Sequence, residues 1–519
     1  MKKLLSVLLV CVLALGVLTG CQGKSTSSKN DGDKSKNNSS NSVFTYALGG
    51  DTGNTLNTFK ADDRWSLMTA NMVGSPLYRI SAKGEFMPLL AESMEPSKDG
   101  LVYTLKLKEG LKWSDGEPFT ADDVVFTYNT YNSMGSSLFV GGKPIAVEKK
   151  DDTTVTLTLS APSASVMETL SAEVFMAPKH IFEGKTSFDV NMLESKVVGT
   201  GPYILDEYKT GQYLKFKANP NYAGGEASIK TVIYKIIDNA DTASLAMQNK
   251  EVDAWIALPT QLKPFQDNKN YQVTNYSEGR VAYLRLNSIS DAMKDKDYRI
   301  GLLKAVDREE IMMAAYGSKD FYKLGYSFLP VGSKYYSDKV EKYSKDIEKA
   351  KKLVEGGAKA LKLCYVGEDP AQEKQALTIQ AELKKVGIAV ELCGVDQAAY
   401  MASAYDLTNK DYDMFLGGYV MGIDPDTFSV LFDSTSDNMI HYMNPEIDKI
   451  FAEGKQELNV EKRQEIYKKA QKMVSEEALF YPLGTNLRSL ITTERVTEIE
   501  NAGLVPIYTF QDVSKLKLK

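Results

Sequence analysis

The segment 347–393 constrains the fold more than any other part of the chain. Its pattern predicts an amphipathic helix that stops at two glycines, followed by strand 361–366, helix 370–386 and strand 388–393. Two strands joined by a helix of this length form a right-handed βαβ unit in a parallel sheet. The chain is therefore predicted to have an α/β fold, whose ligands gather beyond the C-terminal ends of the strands.

The length of 519 residues exceeds what one hydrophobic core normally holds, so we expect two or three domains. Hydrophobic residues at 43% and charged residues at 25% are ordinary values for a globular protein. The net charge of -6 argues against a nucleic-acid partner, which would require a basic face.

The sequence offers little material for catalysis or metal binding. Its two histidines are His180 and His441, and no zinc-type spacing is present. The glycine-rich turn at 199–203 is not a dinucleotide fingerprint, because Ile204 stands where the third glycine is needed. No P-loop is complete, and no nucleophile elbow is present. We expect no enzyme activity, no cofactor and no metal; an extracellular hydrolase is the rival interpretation.

The first 42 residues are predicted to be a signal peptide, 1–20, and a disordered tether, 21–42. Lys2 and Lys3 precede an uncharged apolar run that is too short for a stable membrane span. The tether offers nothing apolar to bury. The Leu-Thr-Gly sequence before Cys21 resembles a bacterial lipobox, which implies cleavage before Cys21 and lipidation of its thiol. An ordinary secretory signal with a chance cysteine is the alternative.

Four carboxylates within 113–129 suggest an acid-base or metal site at first sight. Asp115 belongs to an Asp-Gly turn. Thr120 stands at the N-cap of a helix, with Asp122 and Asp123 in its first turn, where carboxylates meet unpaired N–H groups. Local structure therefore explains these acids, and we predict a turn followed by a capped helix.

Residues 113–129 also closely resemble a signature segment of the family 5 extracellular solute-binding proteins, the oligopeptide and dipeptide receptors of ABC importers. The run Gly-Thr-Gly-Pro-Tyr at 199–203 matches a turn of the same family. The segment 297–308 departs from the family, which usually has prolines and an Arg-Gln-Ala or Arg-Lys-Ala run there. Other resembling segments follow the family's order: 75–79, 88–93, 219–222, 249–255 and 480–484.

The resemblance implies a two-lobed α/β fold, periplasmic-binding-protein-like, of type II and of the large peptide-receptor class. Lobe I would be discontinuous, formed by 43–278 and 486–519, with an extra subdomain at about 85–195. Lobe II would be 279–485. Ligand would bind between the lobes, and rotation at the two crossings would close the cleft around it.

The glycine-rich loop after strand 43–48 is one candidate contact, because its backbone at Gly50, Asp51 and Thr52 could approach a ligand closely. An ordinary turn is the alternative. By resemblance, Trp255 belongs to a strand that runs toward the cleft.

Strand 281–287 is a second candidate. Its period-two alternation puts Tyr283, Arg285 and Asn287 on one face. The resemblance places this strand at the first crossing, so this face could meet the ligand. Arg285 is a candidate partner for a ligand carboxylate, or it forms an ion pair on an ordinary half-exposed strand.

Strand 413–419 and the loop after it resemble the family's main recognition segment. Peptide receptors commonly place an aspartate four residues after the glycine that matches Gly418, to hold the peptide's α-ammonium. That position is Gly422 here. Either Asp424 or Asp426 substitutes, or the ligand has no free amine there; a turn and a helix cap are the alternative roles of these acids. The other candidates in this segment are Tyr419, Val420 and Met421.

The predicted function is a lipid-anchored substrate-binding protein on the outer face of a cell membrane, with a Gram-positive source favoured. It would act as a monomer that captures oligopeptides or dipeptides and delivers them to an ABC permease driven by an ATPase subunit. An oligosaccharide or metal chelate as solute, and peptide sensing without import, stay open. Cys364 and Cys393 lie in neighbouring predicted strands and form a disulfide or remain thiols.

Overall fold

The structure is a computed structural model, in which part of the chain is described. The predicted signal peptide, Cys21 and the candidate contact Met421 lie outside the described residues. The described residues are 42–52, 59, 61, 63–81, 84–134, 138–140, 142–172, 174–185, 197–420, 422, 424–434 and 438–519.

Strands and helices alternate along most of the described chain. The strands are β1 Val43–Leu48, β2 Tyr78–Ile80, β3 Phe86–Pro88, β4 Ala91–Pro96, β5 Val102–Leu107, β6 Phe139–Val140, β7 Lys143–Pro144, β8 Ala146–Lys149, β9 Thr154–Thr158, β10 Tyr203–Lys209, β11 Tyr213–Ala218, β12 Thr231–Ile236, β13 Ala254–Ala257, β14 Tyr271–Leu286, β15 Tyr322–Leu324, β16 Ala360–Val366, β17 Ala389–Val395, β18 Met414–Val420, β19 Phe480–Thr493, β20 Val496–Thr497, β21 Leu504–Val505, β22 Thr509–Phe510 and β23 Lys517–Leu518. The helices are α1 Arg64–Val73, α2 Ala121–Ser133, α3 Val166–Ser171, α4 Lys179–Phe182, α5 Ala240–Gln248, α6 Lys296–Ala305, α7 Arg308–Tyr316, α8 Ile347–Val354, α9 Pro370–Lys384, α10 Gln397–Tyr405, α11 Ser429–Phe432, α12 Pro445–Gln456, α13 Val460–Glu476 and α14 Ile499–Ala502.

The largest sheet joins two α/β halves. Its strand order is β10-β11-β12-β1-β13-β19-β14-β18-β16-β17, with β15 paired to β19. At one end β1 is parallel to β12 and β13, and at the other end β16 is parallel to β17 and β18. Between them, β13, β19, β14 and β18 pair antiparallel. We call the half that contains β1 lobe I and the half that contains β16 lobe II.

The predicted βαβ unit is confirmed by β16, α9 and β17, whose two strands are parallel. Helix α9 packs on them because Ala376, Ile379 and Leu383 are buried in the same core as strand leucines. Cys364 and Cys393 lie directly opposite each other in this ladder. Both are free thiols, and Cys364 is buried.

Each lobe has apolar cores on both faces of the large sheet. In lobe I, alternating residues of β1 and β13 divide between a cluster that contains Phe44 and a cluster that contains Trp255. In lobe II, Leu284 faces one cluster, and its neighbour Tyr283 faces the other. The sheet is therefore buried on both sides, as expected for parallel α/β architecture.

A second sheet, β4-β5-β9-β8, has its own core together with α2. Trp113 is fully buried there, with its ring centre 5.3 Å from that of Phe119. Thr120 caps α2, and the Asp123 carboxylate accepts a 2.9 Å hydrogen bond from the Thr120 N–H. The capped helix is confirmed, while the boundaries predicted for the lobes and the extra subdomain stay predictions.

Candidate functional site

The crossing between the lobes lies in β14 and β19, which are 16 and 14 residues long. The pairing register of these strands shifts between Ser277 and Val281, which leaves residues 278–280 out of their ladder. Gly279 has φ of 68°, a left-handed conformation that glycine adopts without a steric penalty. The chain thus passes from lobe I to lobe II through a short irregular segment.

The Glu278 carboxylate, on β14, accepts hydrogen bonds from side chains of β19 and α1. The donors are Arg64 Nη2 at 2.8 Å, Asn486 Nδ2 at 2.7 Å and Arg488 Nε at 2.5 Å. Arg64 also donates to the Pro506 carbonyl oxygen at 2.8 Å. One buried carboxylate is therefore shared by two guanidinium groups, and the pair retains an excess positive charge.

The charges in this network shift one another's pKa values. Burial acts to raise the pKa of Glu278, but Arg488 and Arg64 outweigh it and hold the pKa below its ordinary value. Burial, together with repulsion from Arg488, lowers the pKa of Arg64. Glu278 is therefore ionised at neutral pH and neutralises only one of its two partners.

Arg280 lies two residues further on, at the start of lobe II. Its guanidinium packs flat against β18, because a Cβ atom on Gly418 would lie 2.0 Å from Arg280 Cζ. Gly417 leaves room on the opposite face, where an added Cβ would lie 2.5 Å from the hydroxyl oxygen of Tyr400 and 2.7 Å from that of Tyr283. A side chain at either glycine would displace these neighbouring groups.

The glycine-rich loop of lobe I is only partly open. The indole of Trp65 covers Gly50, since a Cβ there would lie 2.3 Å from Trp65 Nε1. Asp51 is bound within lobe I, where its carboxylate accepts hydrogen bonds from the Tyr208 hydroxyl at 2.7 Å and the Gly211 N–H at 2.6 Å. Thr52 is buried. Of the three candidates in this loop, Gly50 lies beside the Trp65 ring, and Asp51 has a structural role.

The face predicted on strand 281–287 is buried inside lobe II. Arg285 is 2% exposed, lies 3.9 Å above the centre of the Phe415 ring, and makes no ion pair among the described residues. Asn287 donates to the carbonyl oxygens of residues 409 and 412. Tyr283 stacks on Phe480 at 4.5 Å. These contacts correct the expectation of a ligand-facing strand, because α10 and the segment 438–441 cover it.

Trp255 is also placed in a core instead of the cleft. It is 6% exposed, and its ring lies 6.2 Å from Phe265 in the cluster that α5 covers. Alternation along β13 directs its side chain away from the Phe44 cluster and toward this helix.

Both acids of the recognition loop are engaged within lobe II. Asp424 forms a bidentate pair with Arg463, at 2.6 Å to Nη1 and 2.8 Å to Nη2. Asp426 is largely buried, accepts a hydrogen bond from the Tyr467 hydroxyl at 3.3 Å, and lies 3.7 Å from Lys455 Nζ. Burial raises the pKa of Asp426. The alternative of structural roles for both acids fits these contacts.

The other described candidates of this segment lie closer to the surface. Gly418 and Tyr419 are half-buried, and Tyr419 packs edge-on against Phe428 at 5.2 Å. Val420 and Gly422 are exposed. The structure therefore brings this loop next to Arg280, whereas Tyr283, Arg285 and Asn287 are withdrawn from it.

Sequence reasoning missed four residues of the crossing: Arg64, Glu278, Arg280 and Arg488. A signal for two of them existed, since Glu278 and Arg280 bracket a glycine just before a clear strand pattern. No comparable signal exists for Arg64, because its contact with Glu278 joins positions 214 residues apart.

Comparison with known proteins identifies the family. The model of the bacterial extracellular solute-binding proteins, family 5 Middle, matches residues 85–439. The chain belongs to family 5. The solute-binding identification and the two-lobed α/β fold predicted from the sequence are thereby confirmed.

Relatives of this family 5 protein match it over nearly its whole length. The oligopeptide-binding protein AppA of Bacillus subtilis is 27% identical, over 92% of this chain and 93% of AppA. The substrate-binding protein CtaP of Listeria monocytogenes is 35% identical with a TM-score of 0.86, covering 92% of this chain and 99% of CtaP. The putative peptide-binding protein AppA of Clostridium difficile is 32% identical with a TM-score of 0.86, covering 92% and 100%.

The described residues lack two structural features, a membrane-spanning helix and a cluster of metal ligands. No helix in this part of the chain is long and apolar enough to cross a membrane. Within the same residues, no group of three or more His, Cys, Asp or Glu side chains could hold a metal ion.

Proposed function

We propose that this family 5 protein captures oligopeptides or dipeptides between its lobes and delivers them to the permease of an ABC importer. The observation that carries the proposal is the pair of strands β14 and β19, each of which contributes to both lobes. Rotation at residues 278–280 would move one lobe against the other while both apolar cores stay packed. The names of the two AppA relatives support peptide as the solute class.

The proposed mechanism requires this chain to bind and release a solute, without making or breaking covalent bonds. A peptide that contacts both lobes binds the closed form more tightly than the open form, and therefore shifts the population toward closure. The closed form then docks on the permease, and a separate ATPase subunit supplies the energy. Peptide backbone groups would be held by fixed hydrogen bonds, with side chains in hydrated pockets, since bridging waters adapt to different side chains.

Membrane attachment is the second part of the proposal. Cleavage before Cys21 and lipidation of its thiol would anchor the protein to the outer face of the cell membrane, with residues 22–42 as a tether. The lipobox-like sequence supports this arrangement. Cys21→Ser should release the protein from washed membranes into the medium, and unchanged membrane association of this variant would contradict the anchor.

Calorimetric titration of the purified chain with a mixed di- to pentapeptide library tests the solute class. We expect saturable heat, and mass spectrometry of the retained peptides should then give their length. Absence of binding at millimolar peptide would overturn the peptide assignment. In that case mass spectrometry of the molecule that co-purifies with the protein would distinguish an oligosaccharide from a metal chelate.

A further inference from the structure

Among the residues that the structure describes, the guanidinium of Arg280 has no anionic partner. Three arginines, Arg64, Arg280 and Arg488, surround this segment, and Glu278 pairs with the other two. Within the described residues, the Arg280 side chain makes no hydrogen bond and no ion pair, and it is only half-buried. Its fork of N–H donors is therefore available to an incoming acceptor.

The acids of the loop after β18 and of the start of α9 are already engaged. Arg463 holds both oxygens of Asp424, and Asp426 is largely buried beside Tyr467 and Lys455. Asp369 caps α9, where its two oxygens accept from the backbone N–H groups of residues 371 and 372 and from a side-chain amide. Each of these acids therefore already has partners of its own among the described residues, and none of them pairs with Arg280.

The position of Arg280 is also constrained. Gly418 lets the guanidinium lie flat on β18, and the strand ends two residues later, at Val420. Ligands of α/β sheets gather beyond such C-terminal strand ends. Arg280 therefore presents a planar set of donors at the edge where β18 ends. This geometry matches the two oxygens of a carboxylate better than a single point charge would.

We propose that Arg280 determines specificity by binding a carboxylate of the captured solute. The cleft then favours solutes that place an acidic group at the crossing over otherwise identical solutes that place an amide there. The acid is either the C-terminal carboxylate of a peptide or an acidic side chain. This inference rests on the proposed function, because it assumes that the solute is held between the lobes.

A set of four tripeptides separates the two sources of the acid. Ala-Glu-Ala and Ala-Gln-Ala differ in one side-chain carboxylate, and each is made with a free and with an amidated C-terminus. Calorimetry on the wild-type chain should show at least tenfold tighter binding for the acid member of one of these matched comparisons, since a charge-assisted hydrogen bond is worth about that factor or more.

Variants of Arg280 assign the preference to this residue. Arg280→Gln should bind the acid and amide members equally, and Arg280→Lys, which keeps the charge but loses the planar fork, should retain part of the preference. Lys410→Gln is the matched control, since Lys410 is an exposed cation of lobe II, 60% accessible, and should leave every affinity unchanged. Thermal unfolding of each variant checks that it is folded.

The outcomes separate this inference from the proposed function. If peptides bind without any acid preference, or if the preference survives in Arg280→Gln, the inference fails and the peptide receptor stands. If none of the four peptides binds, the mixed peptide library decides the proposed function, and this inference is tested by comparing succinate with succinamide by thermal shift. Stabilisation by succinate that disappears in Arg280→Gln then supports the inference, and no difference between the two overturns it.

Discussion

Arginine side chains have different roles at similar depth in lobe II. Arg285 is held by the Phe415 ring and by the Ala404 carbonyl oxygen, 3.4 Å from its Nη1. Burial lowers its pKa, since no carboxylate compensates its charge. Arg463 by contrast has the Asp424 carboxylate, which outweighs burial and raises its pKa. Guanidinium groups are weakly hydrated and stack on rings, which makes both arrangements tolerable.

The Asp424 pair can be tested by a single substitution. Asp424→Asn should lower the free energy of unfolding by about 3 kcal/mol, because it leaves the buried charge of Arg463 without a partner. Urea denaturation measures this loss. Lys468→Gln, which removes an exposed ion pair with Glu465, should cost less than about 0.5 kcal/mol. Equal small losses in both variants would show that the Asp424 pair does not stabilise the fold.

The buried histidine predicts a pH dependence of stability. Burial, with a contribution from Arg285, lowers the pKa of His441 to about 4. Because the unfolded chain takes up this proton near pH 6.5, the folded state should lose stability as pH falls from about 6.5 toward 4, by at most about 1.4 kcal/mol per unit.

Urea denaturation as a function of pH measures this effect. His441→Gln should show a shallower slope than the wild type between pH 6.5 and 4.5. An identical slope in the wild type and in His441→Gln would contradict the assignment.

At the scale of elements, the crossing strands explain how one sheet serves two lobes. Strand β14 pairs with β19 over residues 271–277 in lobe I and over 281–285 in lobe II. The three residues between these two paired segments are Glu278, Gly279 and Arg280, so the break in pairing coincides with the charged network. A ladder that is continuous on both sides of a short break can bend there without losing the hydrogen bonds of either lobe.

Gly279→Ala tests the conformation of that break. The φ of 68° forces a Cβ atom toward the neighbouring carbonyl oxygen, so the variant should be destabilised by about 1–2 kcal/mol. Gly356→Ala is the control, because a Cβ there meets nothing within 4 Å and should change stability by less than about 0.5 kcal/mol. Thermal or urea unfolding measures the loss of stability in both variants. An unchanged stability of Gly279→Ala would show that the backbone relaxes.

At the scale of the whole molecule, the proposed function requires closure around the solute. Small-angle X-ray scattering should give a smaller radius of gyration with a peptide that binds by calorimetry, and an unchanged radius with one that does not. The bound peptide should also stabilise the protein by about 2.7 kcal/mol at a hundred times its Kd. Stabilisation without any change of radius would argue for binding to one lobe alone.

Much of the architecture was predictable because it depends on local patterns. Helix α9 and its flanking strands follow from apolar periodicity, and the start of α2 follows from the capping preference of Thr120. The site was less predictable. Alternation correctly placed Tyr283 and Arg285 on one face of β14, but it carries no information about α10, which covers that face.

The charged network at the crossing and the role of Gly418 separate what the sequence alone determines from what depends on the tertiary structure. The sequence by itself determined the α/β class, the family and the absence of a carboxylate at Gly422, since these depend on neighbouring residues and their order. Only the tertiary structure decided that Asp424 pairs with Arg463, and that Arg280 lies over Gly418 with no ion pair to any described residue. Such pairings depend on which distant segments meet, and burial and charge then fix the state of each group.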